Sequence, residues 1–282
     1  MGVHDEKGKV LALKQTIKLF CPPILLKALV KLRKNRLAYS GNYSSWAEAQ
    51  LNSTGYNADE ILQRVLSSSR KVVTGEAVYE RDSVCFNEKN YRWPLLACLL
   101  KIANKQNNQL SIVDFGGSLG SLYFQHKDFL SDIDQLDWSV VEQAHFVTAG
   151  QKEFENNQLH FHFTLAESIK NRASNTVLLS SVLQYLEDPK ALLKNIAAMG
   201  FRYVLIDRTP FIMAEKDRLT IQSIPQSIYS GSYPAWFFSS NQFDRLMENL
   251  GYRCVCEFNC EDDVGVGTFK GFLFEKIENQ AS

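Results

Sequence analysis

The sequence predicts an α/β protein built on a doubly wound, mostly parallel seven-stranded sheet, with a helical extension in front of it. Three observations carry this expectation. Between residues 111 and 207, short continuous apolar runs alternate with helix-compatible segments, the pattern of parallel strands covered on both faces. The first of these runs ends in Leu110-Ser-Ile-Val-Asp-Phe-Gly-Gly-Ser-Leu-Gly120, which reads as strand, glycine turn and helix start. The last two apolar runs, near 252–258 and 271–276, are joined by a loop too short for a parallel crossover, so they must pair antiparallel.

The elements follow in order, in three parts: 1–36, 37–105 and 106–282. Residues 10–36 are apolar runs interrupted by lysines, too often for a membrane span, and Pro22-Pro23 breaks them into two short amphipathic helices. The segment either packs on the body as a helical arm or rests on an anionic membrane surface. Residues 37–105 read as mainly helical, a lid or extension. Ser45-Trp-Ala-Glu48 has the form of a capping box, Asn57-Ala-Asp-Glu opens a second helix, and Trp93-Pro94 a third. Tyr79-Glu-Arg-Asp82 is a polar cluster between apolar segments. From 106 onward, strands are expected at 111–114, 138–142, 159–163, 175–181 and 202–207. Helices are expected at 119–130, 143–156, 188–199 and 241–250.

Charge and composition narrow the function classes. The formal net charge is zero, but residues 1–36 carry +7 and the remainder −7. A neutral-to-acidic body argues against nucleic-acid binding, which would show a basic face. Six cysteines dispersed over 282 residues suit reduced thiols in a cytoplasm. Cys254-x-Cys256 with Cys260 lacks the histidine or second cysteine pair of a zinc site, and no metal is expected.

In open parallel sheets ligands bind at the carboxyl ends of the strands, so the residues ending each strand are the candidates. The first strand supplies Asp114, Gly116, Gly117, Ser118 and Gly120. The second supplies Glu142, followed by Gln143. Glu142 stands at the distance past the glycines where an acid accepts hydrogen bonds from both ribose hydroxyls. The third is followed by Glu167, the fourth by Ser181, and the fifth by Asp207 and Arg208. A dinucleotide fingerprint would need glycine at Phe115, and Asp114 would then face a pyrophosphate, which is electrostatically wrong. The acid suits a cofactor that carries an ammonium and a sulfonium and no phosphate.

Asp-x-Gly-x-Ser-x-Gly at 114–120 resembles motif I of class I S-adenosylmethionine-dependent methyltransferases, with Ser118 departing from the usual middle glycine. The antiparallel hairpin after five parallel strands resembles that fold's seven-stranded sheet. DFGGSLGS, WSVVEQAHFV, IDRTPF and the run Tyr229-Ser-Gly-Ser-Tyr-Pro-Ala-Trp-Phe-Phe238, with SSWAEA and YERD upstream, are similar to a bacterial methyltransferase family associated with surface-polysaccharide gene clusters. The resemblance spans about residues 40–275. It implies S-adenosylmethionine as cofactor and methylation of an O or N atom on a small-molecule or glycan-type acceptor.

Methyl transfer is a displacement on carbon already activated by the cofactor, so the protein must align and desolvate the nucleophile. Tyr185, Asp207 and Arg208 are the candidates facing the methyl group. Asp207 would serve as base and Arg208 as anchor for an anionic acceptor, unless the two form a structural ion pair. Tyr229, Tyr233 and Trp236 either stack on a sugar or plug the core. Tyr43, Trp46, Tyr56 and Arg81 are candidates for a lid. Two rival readings remain: a non-catalytic cofactor-fold protein serving as a binding scaffold in a biosynthetic complex, and an α/β-hydrolase using Ser118. Gly116-Gly-Ser-Leu-Gly120 does satisfy G-x-S-x-G, but hydrolase chemistry needs a histidine late in the chain, and none follows His162.

Overall fold

The computed structural model describes residues 38–55, 58–170, 174–224, 231–263 and 267–277. The arm at 1–36, Tyr56 and Tyr229 lie outside the described residues. Five parallel strands form the centre: β4 (Gln109–Phe115), β5 (Gln135–Val141), β6 (Leu159–His162), β7 (Thr176–Ser180) and β8 (Tyr203–Ile212). They lie in the order β6-β5-β4-β7-β8, so the direction of winding reverses between β4 and β7. β12 (Thr268–Lys276) lies antiparallel on the far side of β8, and β11 (Tyr252–Asp263) pairs antiparallel with β12, as their short connection requires. These seven strands are the expected sheet, and the protein is mixed α/β with a mostly parallel centre.

The inner strands bury both faces. Ile112, Trp138, Val140, Leu178 and Leu205 pack on one side against α2 (Ala58–Val73), α3 (Trp93–Lys105), α4 (Ser121–Leu130) and α5 (Ala144–Glu153). Val113, Val177, Leu179, Val204 and Ile206 pack on the other against α7 (Pro189–Ala198) and α8 (Ser240–Asn249). A short α6 (Leu165–Lys170) follows β6. The helix starts obey local chemistry. The Ser45 hydroxyl accepts from the Glu48 N–H at 3.2 Å ahead of α1 (Trp46–Leu51), while the Glu48 carboxylate accepts from the Ser44 N–H at 2.9 Å. Asp188 caps α7 in the same manner, accepting from the Ala191 N–H at 2.9 Å, and Pro189 occupies the first turn, where its missing N–H costs nothing.

Three findings depart from the sequence reading. Among the described residues the sheet has ten strands, because β9 (Arg218–Ile224), β10 (Gly231–Ser239) and β1 (Ala38–Tyr43) extend it. β8 runs five residues beyond the expected end at Asp207, to Ile212, and β10 joins it in parallel at Phe211 and Ile212, on the side that β7 vacates at Ser180. β9 and β1 then add antiparallel to complete this annex, and Gln222 and Ile224 of β9 line a cavity together with residues at the carboxyl ends of the central strands. Second, β1 stands where helix was expected. Its residues show no helical period, and its strand conformation comes from pairing with β9, a contact between segments far apart in sequence. Third, the polar cluster at Tyr79–Asp82 belongs to a hairpin, β2 (Tyr79–Arg81) and β3 (Val84–Phe86). Its two-residue turn puts Asp82 (φ 52) and Ser83 (φ 66) in the left-handed region, the geometry of a type I′ turn. The Ser68 hydroxyl on α2 donates to the Ser83 carbonyl at 2.6 Å and fixes the turn against the body.

Candidate active site

The carboxyl ends of the central strands open into two adjoining cavities. The outer one, of about 900 Å³, is lined among others by Phe115, Gly116, Glu142, Gln143, Phe146 and Phe163 from the central strands and the segments that follow them, and by Trp46, Tyr185 and Tyr233. The inner one, of about 310 Å³, is lined by Asp114, Gly117, Ser118, Ser121, Ser181 and Arg208, by Glu80, Arg81 and Asp82 of the hairpin, and by Arg92 and Gln222. Gly116, Asp82, Phe146, Tyr185 and Tyr233 line both.

The glycine turn forms the floor where the two meet. Gly116 has φ +75, and a Cβ there would lie 2.5 Å from Val182 Cγ2. A Cβ on Gly117 would lie 2.5 Å from the Asp114 carboxyl carbon. Neither position has room for a side chain, and both glycines line the inner cavity with backbone alone, as close approach to a ligand requires. Ser118, which stands at the usual middle glycine, takes the left-handed conformation at φ 57. Two more residues along this edge share it, Ser181 (φ 57) just after β7 and Arg208 (φ 48) within β8. Non-glycine residues held this way cost stability, and their concentration on one sheet edge marks that edge as specialised.

Four carboxylates face this space. Glu142 follows the last residue of β5, and its Oε2 accepts from the Gln143 N–H at 2.7 Å. Burial pushes its pKa up, against the pull of that hydrogen bond. Asp114 is 1% exposed, and its Oδ2 accepts from the Trp138 indole N–H at 3.1 Å. Burial raises it to about 7 in spite of that bond, and the neighbouring Glu142 and Asp207 add to the rise. Glu80, 4% exposed, accepts from the Ser121 hydroxyl and from the Ser83 N–H, and burial pushes it to about 7 as well. Asp82 accepts from Arg208 Nη2 at 3.1 Å, which straps the hairpin to β8.

Asp207 and Arg208 are separated by the structure. The register between β8 and β12 shifts between the pairs Ile206–Phe272 and Thr209–Lys270, so two residues stand opposite one. Neighbouring residues of a strand point to opposite faces, and the bulge re-aims the side chains locally. Arg208 faces the inner cavity, whereas Asp207 is fully buried behind its wall. The Asp207 Oδ1 accepts from Arg92 Nη2 at 2.7 Å and from the Cys260 thiol at 3.5 Å, and Oδ2 accepts from the Ser180 hydroxyl at 2.9 Å. Asp207 lines a smaller third cavity of about 110 Å³ and neither of the two that hold the glycine turn. The expected pair of base and anchor is two separate ion pairs, Arg92–Asp207 and Arg208–Asp82.

Other candidates divide in the same way. Tyr185 and Tyr233 meet edge to face with ring centres 5.2 Å apart and line both cavities. Burial raises the Tyr185 phenol. Trp236 lines neither; it stacks on Trp46 at 6.4 Å and donates to the Leu186 carbonyl at 3.1 Å. Glu167 closes a capping box at α6, its carboxylate accepting from the Phe163 N–H and its own N–H donating to Thr164. Ser181 accepts from Gln184 Nε2 at 3.1 Å. Gly120 precedes α4. Of the lid candidates, Trp46 lines the outer cavity and Arg81 the inner one, while Tyr43 packs with Trp46 against Leu219 and Ile221. Glu80, Arg92 and Gln222 were not among the sequence-derived site residues. Glu80 carried a signal as part of the polar cluster ahead of β3; Arg92 and Gln222 carried none. Among the described residues no group of three or more His, Cys, Asp or Glu side chains is arranged to hold a metal ion. No helix among them is long and apolar enough to cross a membrane.

No protein-family model matches this sequence, and no curated protein matches it. Solved structures share its general shape. The 1,6-didemethyltoxoflavin-N1-methyltransferase of Burkholderia thailandensis, crystallised with its substrate and S-adenosylhomocysteine, is 12% identical and aligns over 79% of this chain and 92% of its own, with TM-score 0.46. The magnesium protoporphyrin IX methyltransferase of Synechocystis PCC 6803, crystallised with S-adenosylhomocysteine, is 13% identical over 76% of this chain and 99% of its own, also at TM-score 0.46. The fold assigned to this protein rests on its own strand order, and the site on its own side chains.

Proposed function

We propose that the chain is an S-adenosylmethionine-dependent methyltransferase acting on a small-molecule or glycan-type acceptor, in the cytoplasm, at the O or N atom of a surface-polysaccharide precursor. The observation that carries the cofactor is Glu142. It stands at the carboxyl end of β5, beside a glycine turn that leaves its backbone bare, in a cavity of about 900 Å³. A carboxylate so placed takes both hydroxyls of a ribose, and Phe146 and Phe163 supply apolar walls for a base. The inner recess holds carboxylates where a dinucleotide would bring phosphates, which favours a cofactor with positive charge at that end. Bound there, the cofactor supplies a methyl group already activated by sulfonium. The protein's part is to align the acceptor and exclude water. Tyr185, Tyr233 and Trp46 offer flat faces suited to a sugar ring, and Arg208, braced by Asp82, presents a guanidinium to an anionic acceptor. The hydrolase reading finds no base in His126. That ring is buried, with Nδ1 at 2.9 Å from the Leu122 carbonyl and Nε2 accepting from the Arg92 N–H.

Calorimetry with S-adenosylmethionine tests the reading, with NAD as the control. Binding of the first and not the second is expected. Glu142→Ala should weaken it about ten- to a hundredfold, the worth of hydrogen bonds to a charged acceptor. No binding at millimolar cofactor would overturn the cofactor assignment. Binding without transfer to any nucleoside-diphosphate sugar would favour the scaffold role. For the arm, recovery on anionic liposomes in a flotation assay should fall when residues 1–36 are removed; equal recovery would sink the membrane contact.

A further inference from the structure

The annex of β1, β9 and β10 buries a glutamine at its centre. β9 is flanked by β1 on one side and β10 on the other, so Gln222 is an interior position of the sheet. It is 1% exposed, and its Oε1 has no hydrogen-bond partner among the described residues. An apolar side chain would fill such a position without penalty, whereas a buried amide oxygen without a donor is costly. Three facts aim the amide at the inner recess. Gln222 lines that recess. Tyr39 on β1 and Tyr233 on β10 stand directly opposite it, so the three side chains share one face. Tyr233 lines the recess as well, and its ring meets that of Tyr185 edge to face. The last torsion of a glutamine is broad, so its oxygen can turn to a donor arriving in the recess without strain.

Place in the fold decides which ligand brings that donor. The glycine turn after β4 and Glu142 after β5 lie on one side of the point where the winding reverses. Tyr185 after β7, Arg208 of β8 and the annex lie on the other. A cofactor held by Glu142 and the glycines leaves this second side to the methyl acceptor. An amide beside aromatic rings suits a sugar, whose apolar face stacks while its rim hydroxyls donate. We propose that Gln222 is a specificity-determining residue for a sugar acceptor, its Oε1 accepting from a ring hydroxyl other than the atom methylated. The sugar's apolar face then rests on the Tyr185–Tyr233 pair. The inference rests on the acceptor reading above and narrows it to acceptors with at least one further hydroxyl. An amide oxygen is far too weak a base to take a proton, so Gln222 reads its hydroxyl and does not activate it. A sugar that lacks this hydroxyl, or carries a substituent on it, leaves the amide oxygen unpaired and is refused.

The test titrates the full chain, loaded with S-adenosylhomocysteine, with the methyl glycosides of glucose, galactose, mannose and fucose. The glycoside that binds most tightly is then compared with its monodeoxy analogues. Loss of one hydroxyl should weaken binding about tenfold or more, the scale of one hydrogen bond to a buried acceptor. Gln222→Met should weaken the parent glycoside by the same factor and leave that one deoxy analogue unchanged. Weakening of the parent and every analogue alike, or of none, would overturn the proposal. If S-adenosylhomocysteine binds and no glycoside does, the sugar seat falls while the cofactor assignment stands. If S-adenosylhomocysteine itself fails to bind, the function reading and this inference fall together.

Two further measures separate a reading role from a structural one. In the ligand-free protein Gln222→Met should keep or raise the urea midpoint, because it removes an oxygen that has no donor. A lower midpoint, or failure of the variant to fold, would mean that the amide braces the annex, and would overturn the assignment. The deoxy series in the unaltered protein stands without any variant. The Gln222 side-chain amide resonance should shift on adding the parent glycoside and stay in place with the one weakened analogue. Equal shifts with both would overturn the contact.

Discussion

Asp207→Ala is expected to cost about 3–5 kcal/mol of stability, read as a lower urea midpoint at unchanged slope. Asp207 is fully buried, and the Arg92 side chain that it holds at 2.7 Å is only 12% exposed. Removing the carboxylate strands that guanidinium, whose Nε already has no hydrogen-bond partner among the described residues. It also leaves the Ser180 hydroxyl and the Cys260 thiol without their acceptor. The reciprocal change, Arg92→Leu, strands the carboxylate and should cost a similar amount. The double variant Asp207→Leu with Arg92→Met should recover most of the loss, because an apolar pair of comparable volume has no desolvation to repay. A single-variant loss below about 1 kcal/mol would mean that the pair is well solvated and that the wall is looser than its burial implies. Turnover should follow the folded fraction in Asp207→Asn; loss of turnover in a fully folded Asp207→Asn would restore Asp207 as the base.

The reason this pair was not legible in the sequence applies to most of what was missed. Asp207 and Arg208 are adjacent, and adjacency suggested a shared role. On strand β8 neighbouring side chains part to opposite faces, and each finds a partner more than a hundred residues away, Arg92 for one and Asp82 for the other. The legible part is what chain order alone decides. In a parallel sheet each strand delivers its last residues to the same edge, so Asp114, the glycines and Glu142 could be placed together before any contact was known. The annex could not, since β9 and β10 owe their place to an extension of β8 that outlives β7. The hairpin was also hidden. Its turn is Asp82-Ser83, and without a glycine the sequence gives no strong sign of two successive left-handed residues. Glu80 and Gln222, two of the acceptors in the inner recess, come from these two unannounced elements.

Gly117→Ala is expected to weaken S-adenosylmethionine binding more than a hundredfold, about 2.7 kcal/mol or more. The added methyl would sit 2.5 Å from the Asp114 Cγ and Oδ2 and 3.0 Å from Oδ1. Something must move, and the Asp114 carboxylate is held by Trp138 and is only 1% exposed. Swinging it away breaks its one side-chain hydrogen bond, and shifting the turn instead displaces the backbone that forms the cavity floor. Either route should cost about 1–3 kcal/mol of stability as overpacking. Two further variants separate the effects. Asp114→Ala combined with Gly117→Ala removes the clash, so stability should return while binding does not. Ser118→Gly, one residue on, should leave binding within a few-fold and stabilise the chain by up to about 1 kcal/mol, since glycine carries no penalty at φ 57. Binding of Gly117→Ala within threefold of the unaltered protein would mean that the turn does not approach the cofactor. The bare backbone at 116–117 would then serve only to pack β4 beneath α4.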